Sequence, residues 1–156
     1  MIRRAVEGDV QAIHQLIYEL AVYEKAPEEV KATVESIRES LFGEKPVANC
    51  HVAEVDGTVV GIAIWFLNYS TWLGKPGIYL EDLFVQPEHR KQGLGKEFMK
   101  VLAKVCVENN YERFQWWVLD WNKPSIDFYK SIGAVPMDEW TVFRLSGDDL
   151  KKFASN

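Results

Sequence analysis

Little in this 156-residue chain invites a covalent or metal cross-link. Its two cysteines, Cys50 and Cys106, are far apart in sequence and sit among apolar neighbours, so both read as small buried thiols rather than a disulfide or half of a zinc site. Histidine is almost as scarce, and His14, His51 and His89 lack the spacing of metal ligands; no metal is expected. Basic charge is in deficit. Eighteen Lys and Arg against 23 Asp and Glu give a net charge of -5 and a pI near 5.3, which argues against nucleic acid, whose binding rests on cations neutralising phosphates. A cationic partner agrees better with this balance. No apolar run approaches the roughly 18 residues of a membrane span. The opening Met1-Ile2-Arg3-Arg4-Ala5-Val6-Glu7 turns acidic before any apolar signal core develops, so it reads as the first strand of a cytoplasmic protein. Repeats, low-complexity runs and linkers are absent too.

What remains is an ordinary globular composition, 47% apolar and 26% charged, expected to form one domain over residues 1–156 that buries roughly two-thirds of its unfolded surface. After a strand at Met1 to Ala5, Asp9 is placed to cap a helix with Val10, Ile13, Leu16, Ile17, Leu20 and Ala21 on one face, stopped at Pro27. Thr33 or a neighbour opens a second helix with Val34, Ile37, Leu41 and Phe42 inward, ended by Gly43. Strands at 50–55 and 58–67 flank Asp56-Gly57, a dipeptide suited to a tight hairpin turn. A loop over 68–77, a strand around Glu81, a long helix to about Asn110, a strand at 113–119, a helix at 123–132 and a last strand at 139–145 follow. The order β-α-α-β-β-β-α-β-α-β implies a mixed sheet covered by helices, with ligands where strands separate at their carboxyl ends.

The most informative run is Val85-Gln86-Pro87-Glu88-His89-Arg90-Lys91-Gln92-Gly93-Leu94-Gly95-Lys96, which joins the apolar strand to the long helix, whose Phe98, Met99, Leu102, Val105 and Cys106 recur at helical spacing. A loop ending at a helix N-terminus presents amides without intrahelical partners at the positive end of the macrodipole, and a diphosphate can accept from several of them. Glycines at 93 and 95 keep Cβ atoms out of the way, and Arg90, Lys91 and Lys96 add positive charge. Such a loop also occurs as a plain strand-to-helix turn. A second run, Trp121-Asn122-Lys123-Pro124-Ser125-Ile126-Asp127-Phe128-Tyr129-Lys130-Ser131-Ile132-Gly133-Ala134, sharpens the reading. Together the two resemble the GNAT superfamily of N-acetyltransferases: Arg90, Gly93 and Gly95 match its Arg/Gln-x-x-Gly-x-Gly/Ala loop, and Asn122, Tyr129, Gly133 and Ala134 match its later helix.

That resemblance implies the GNAT fold, an α/β (α+β) arrangement with a mixed, mostly antiparallel sheet of about six to seven strands flanked by four helices. It also implies acetyl-CoA as co-substrate, held by Leu83, Phe84, Val85, Arg90, Lys91, Gln92, Gly93, Leu94, Gly95, Lys96, Asn122, Ser125 and Tyr129, with the thioester arm in a gap between the strand of Glu81 and the strand after the long helix. Asn122 and Ser125 double as helix caps, with Pro124 in the first turn. Relatives of this kind are commonly homodimers, which the resemblance extends to this chain.

Ala21-Val22-Tyr23-Glu24, Trp72-Leu73-Gly74-Lys75, Tyr79-Leu80-Glu81-Asp82, Val118-Leu119-Asp120-Trp121-Asn122 and the Trp140 region resemble more narrowly the spermidine/spermine (diamine) and thialysine N-acetyltransferase branch. That branch implies a small-molecule amine as acceptor, bound by Tyr23, Glu24, Trp72, Glu81, Asp82, Trp116 and an acid near Trp140, here Asp138 or Glu139. Aromatic and carboxylate walls suit an ammonium group through cation–π attraction and charge pairing. Where polyamine enzymes carry an acid shortly before the loop tryptophan, this chain reads Ser70-Thr71-Trp72, which favours a shorter diamine or a lysine analogue over spermine.

Amine acetylation sets two proton tasks. An alkyl ammonium of pKa near ~10.4 is deprotonated about once in 10³ at neutral pH, a cost of roughly 4 kcal/mol unless a base removes the proton. By resemblance Glu81 is that base, directly or through water; strand alternation would then turn Asp82 to the opposite face. Tyr129 is the matching acid, since a phenol of pKa near ~10 stays protonated yet can donate to a departing thiolate of pKa about 8.5. Each has a structural alternative: a solvated strand carboxylate for Glu81, a core aromatic for Tyr129. Among the aromatics, Trp117 should face away from Trp116 and serve structure. A protein lysine or N-terminal acetyltransferase and a non-catalytic CoA sensor share the loop, while a P-loop enzyme would need the Gly-Lys-Ser/Thr ending missing here.

Overall fold

The computed structural model describes residues 1–155, which divide into two compact units, one from Met1 to Trp117 and the other from Val118 onward. The first contains a five-stranded sheet in spatial order β1-β2-β3-β4-β5, built from β1 (Ile2–Arg4), β2 (Asn49–Val55), β3 (Thr58–Ser70), β4 (Lys75–Val85) and β5 (Phe114–Trp116). Neighbours run antiparallel except β4 and β5, which are parallel. Helices α1 (Val10–Tyr23) and α2 (Val34–Phe42) precede β2, and α3 (Leu94–Glu108) connects β4 to β5.

Local chemistry accounts for most boundaries. Asp56 and Gly57 both adopt positive φ, 49° and 77°, the requirement of a two-residue hairpin turn that side-chain-bearing residues other than Asp and Asn meet poorly. Thr33 accepts from the Ser36 amide at 3.1 Å while Ser36 Oγ accepts from the Thr33 amide at 2.9 Å, so α2 starts on a reciprocal cap. Asp9 does not cap α1. Its carboxylate instead accepts two hydrogen bonds from the Arg3 guanidinium, at 2.7 and 3.0 Å, and one from the Val6 amide, and these donors hold its pKa below the ordinary carboxylate value. The acid ties strand to helix rather than satisfying the helix's own amides.

The sheet has an apolar layer on each face. Val10, Ile13, Leu16 and Leu20 of α1 and Ile37 of α2 pack with Cys50, Val52, Ile62 and Phe84. On the other face a Cβ at Gly61 would meet the Phe98 ring of α3 at 3.2 Å, so Gly61 and Ile62 alternate across the sheet as neighbouring strand residues do. Phe98 and Leu102 of α3 are fully buried. His51 lies in this interior, accepting at Nδ1 from the Trp65 indole at 3.1 Å; burial pushes its pKa down to about 4. Burial, aided by Asp9 and Asp82, pushes the Cys50 thiol up to about 12.

Several elements differ from the sequence reading. The loop expected over 68–77 is mostly strand: Asn68, Tyr69 and Ser70 pair with Gly77, Pro76 and Lys75, leaving a four-residue turn at 71–74, because cross-strand pairing outweighs the weak strand preference of Gly and Pro. β5 covers 114–116 rather than 113–119. In the second unit α4 (Lys123–Ser131) forms as expected, Asn122 accepting from the Ser125 amide at 3.4 Å. The last strand expected at 139–145 is not formed; Trp140, Val142 and Leu145 are exposed, and an alternating pattern becomes a strand only when a ladder partner is available. A short helix α5 (Gly147–Ala154) follows, with Asp148 and Asp149 in its first turn and Lys151 and Lys152 in its last, a charge order matched to the helix dipole. The described residues therefore contain five strands rather than six or seven, and five α-helices rather than four, within the same α/β class.

Candidate active site

At the carboxyl end of β4 two features converge. The parallel ladder between β4 and β5 covers only Ile78–Leu80 against Phe114–Trp116, so the β4 backbone from Glu81 to Val85 has no β5 partner. Apart from the Val85 carbonyl, which accepts from Arg90, backbone groups on that edge are left for another chain or ligand. Immediately afterward the chain crosses a short 3-10 turn, Pro87–His89, and enters α3 through Gly93 in the left-handed region, φ 79°. Lys91 also has positive φ, 66°, a costly conformation for a side-chain-bearing residue that tight loops at binding sites often hold. The amides of Leu94, Gly95 and Lys96 fall in the first turn of α3, where no intrahelical acceptor exists.

Gly95 is the telling residue. It lies inside α3 with no positive φ, and a Cβ built on it would meet nothing within 4 Å. Neither backbone geometry nor packing requires glycine there, although glycine costs a helix interior roughly 0.5–1 kcal/mol relative to alanine. The lack of a Cβ leaves the amides of this turn open to an approaching anion.

Arg90 stands differently. Its Nε donates to the Val85 carbonyl at 2.9 Å, and its guanidinium lies 4.9 Å from the Tyr23 ring centroid and 5.5 Å from that of Phe84. It therefore joins the loop to the end of α1. Between them lies an open groove of about 360 Å³ lined by Tyr18, Glu19, Val22, Tyr23, Phe84 and Arg90 among others. Gln86 reaches across to Glu19, donating at 3.1 Å.

A β-bulge sets the second feature. Consecutive β3 residues Ile64 and Trp65 face Asp82 and Leu80, which leaves Glu81 as an extra residue without a partner opposite. Residues directly opposite share a face. Asp82 thus sits with Ile64 on the side covered by α1 and α2, and Leu80 sits with Trp65 on the α3 side, although the two are only two positions apart. The alternation used to turn Glu81 and Asp82 to opposite faces does not hold across this bulge. Glu81 is exposed while Asp82 is half-buried. Burial raises Asp82 to about 7, helped by the charges of Glu81 and Glu24. Glu24, at the end of α1, is itself raised by partial burial. Asp82 thus senses two other acids, one on β4 and one on α1, and among the described residues none of the three pairs with a lysine or arginine.

Tyr79, quoted in the sequence motif but given no role, borders this group. Burial and the Glu81 charge push its phenol up to about 12, and its ring contacts Phe66 and, edge-on, Trp117. Trp116 is half-buried with its neighbour Phe114 at 4.9 Å between centroids, whereas Trp117 is more than half exposed. Trp72 is 87% exposed on the β3–β4 turn, apart from the acids. In the second unit, Tyr129 and Ser125 lie half-buried on α4, and Asp138 and Glu139 are exposed.

A strand that loses its partner just before a glycine-spaced helix start matches the gap and loop that the resemblance implies. Residues 10–134 match the model of the acetyltransferase (GNAT) family. The chain is 41% identical to the thialysine N-epsilon-acetyltransferase of Bos taurus, covering 99% of this chain and 96% of that one.

The chain belongs to the GNAT acetyltransferase family, and it is an N-acetyltransferase.

It is also 29% identical to an L-ornithine N5-acetyltransferase of Arabidopsis thaliana over 96% of its own length and 86% of the relative's. Among solved structures, an integron cassette protein from the mobile metagenome of V. cholerae superposes with a TM-score of 0.84 at 26% identity, covering 100% of this chain and 98% of that one. Acetyl-CoA is the acetyl donor used across this family. Among the described residues no group of three or more His, Cys, Asp or Glu is placed to hold a metal, and no helix is long and apolar enough to cross a membrane.

Proposed function

We propose that this acetyltransferase takes its acetyl group from acetyl-CoA and passes it directly to the primary amine of a small cationic molecule, a diamine or a lysine-like amine. The observation that carries the reading is the unpaired β4 segment Glu81–Val85 running into the open amides around Gly95. The free β4 edge at Leu83, Phe84 and Val85 suits the amide groups of a pantetheine arm, and the first turn of α3 suits a diphosphate, with Lys91, Gln92 and Lys96 beside it. Asn122 and Ser125 are assigned to the coenzyme by family likeness. When bound, acetyl-CoA supplies an activated acetyl carbon and a sulfur leaving group.

The chain's own residues manage the protons. Glu81, exposed at the bulge, takes one proton from the incoming ammonium, directly or through a water. Tyr129 gives its phenolic proton to the departing sulfur and regains one, directly or through water, from the newly acylated nitrogen, so that one proton in all reaches solvent by way of Glu81. The acceptor enters near Tyr23, Glu24, Asp82 and Trp116; Trp72, Asp138 and Glu139 are assigned to it by family likeness alone. Three carboxyls without a protein cation among them support a positively charged acceptor, as do relatives named for thialysine and ornithine. The enzyme works as a homodimer in the cytoplasm.

The test is thiol release from acetyl-CoA with 1,4-diaminobutane, spermidine, thialysine, ornithine and a lysine peptide as acceptors. Turnover is expected with the small diamines or amino acids and not with the peptide. Preference for the peptide would replace the small-molecule reading, and tight acetyl-CoA binding with no acceptor would replace catalysis by sensing.

A further inference from the structure

The bulge at Glu81 places Asp82 on the face that α1 covers, whereas strict alternation from Leu80 would leave it on the α3 face. A carboxyl placed there has Ile64 opposite it and the apolar layer of Phe84 and Cys50 on the same face. The titratable groups around it are Glu81 on its own strand, Glu24 from the end of α1 and the Cys50 thiol on β2. All are acids, and none of the three carboxyls has a lysine or arginine partner among the described residues. An ionised Asp82 in that setting has no counter-charge, whereas a protonated one needs none.

We propose that Asp82 is a recognition group that exchanges its own proton for the positive charge of the acceptor. In the free enzyme its carboxyl is held in the neutral form near and below neutrality; as the ammonium enters, the carboxyl O–H bond breaks, the proton passes to solvent, and the carboxylate pairs with the intact ammonium. The ammonium keeps all its N–H bonds in this step and loses a proton only later, to Glu81. Asp82 is thus a positioning residue, and the exchange makes acceptor affinity depend on pH. A neutral or anionic amine derivative cannot supply the compensating charge and is rejected. This inference rests on the amine-acetylation reading.

The measurement is calorimetry of thialysine and 1,4-diaminobutane binding to the enzyme complexed with CoA, which fills the coenzyme site without reacting. The apparent enthalpy is compared in buffers of low and high ionisation enthalpy. With Asp82 centred at about 7, about half a proton should leave per amine bound near pH 7, approaching one near pH 6 and vanishing by about pH 9. Asp82→Asn should abolish the release at every pH. Absence of release in the parent enzyme overturns the proposal without any variant, and so does release that survives Asp82→Asn but disappears in Glu81→Gln. Failure of every amine to release thiol from acetyl-CoA removes the acetyl-transfer reading and this inference with it. Turnover with no proton release removes the inference alone.

Discussion

Replacing Gly95 with alanine separates a ligand-driven glycine from a fold-driven one. The added methyl meets no atom within 4 Å and the backbone there is not left-handed, so the fold has nothing to lose. Alanine in place of a helix-interior glycine stabilises by roughly 0.5–1 kcal/mol, a rise of a few degrees in Tm for a chain of this size. The coenzyme meets the opposite effect. In the proposed cradle a Cβ at this position would stand where a phosphate oxygen approaches the amides of the first helical turn, and losing one or two hydrogen bonds to a charged group costs about 1.5–3 kcal/mol each. KM for acetyl-CoA should therefore rise by about 10-fold or more, with each 1.4 kcal/mol worth a factor of ten. Gly93→Ala differs in its effect on stability, because φ 79° makes alanine cost about 1–2 kcal/mol in the fold itself. Thermal unfolding and initial-rate kinetics on both variants suffice. A Gly95→Ala enzyme with the parent's KM for acetyl-CoA would refute the cradle, since its glycine would then serve neither fold nor ligand.

Other substitutions probe other links. Tyr129→Phe should lower kcat by about 10²–10⁴-fold with acetyl-CoA affinity nearly kept; an unchanged kcat removes the phenol from the proton path. Glu81→Gln should depress the rate most at low pH, where free amine is scarcest, and a pH profile matching the parent would leave Glu81 without a role as base. Asp82→Asn should stabilise the fold at high pH. The folded pKa of Asp82, about 7, exceeds its unfolded value of about 3.9, so the parent keeps its full stability below about pH 4 and loses it progressively up to about pH 7. The gain in the variant should be near zero at pH 4 and reach at most about 4 kcal/mol by pH 8, measured by urea unfolding; a pH-independent difference contradicts the burial argument. Asp9 has the opposite sign. Its lowered pKa gives stability present above the unfolded value and lost as pH falls through the folded one. Asp9→Asn should cost about 2–4 kcal/mol at pH 7 by leaving Arg3 short of one partner, and an equal cost at pH 2 would show that the ion pair is not responsible.

Much of the local structure was written in the residues. The Asp56-Gly57 turn, the Thr33 cap, the apolar stripe of α1 and the glycine-spaced entry to α3 each depend on atoms only a few positions apart, and all appear as read. The charge order of α5, acids before lysines, is equally local. Where the reading failed, the deciding partner was distant. Asp9 was assigned to the nearest helix because nothing in sequence reveals that Arg3 reaches it from an adjoining strand. The pairing of 68–70 with 75–77 overrode turn-like composition, and the alternation at 139–145 found no ladder to join.

The sequence by itself determined which segments coil or extend, where a helix would offer bare amides, and that a Tyr-Leu-Glu-Asp run would put two carboxyls side by side. Only the tertiary structure decided what those carboxyls experience. The bulge comes from matching β3 against β4, a contact between residues more than a dozen positions apart, and it carries Asp82 under α1 while Glu81 remains in water. Burial, with the charges of Glu81 and Glu24, then raises Asp82's pKa, and both the burial and the nearness of Glu24 depend on how strands and helices meet.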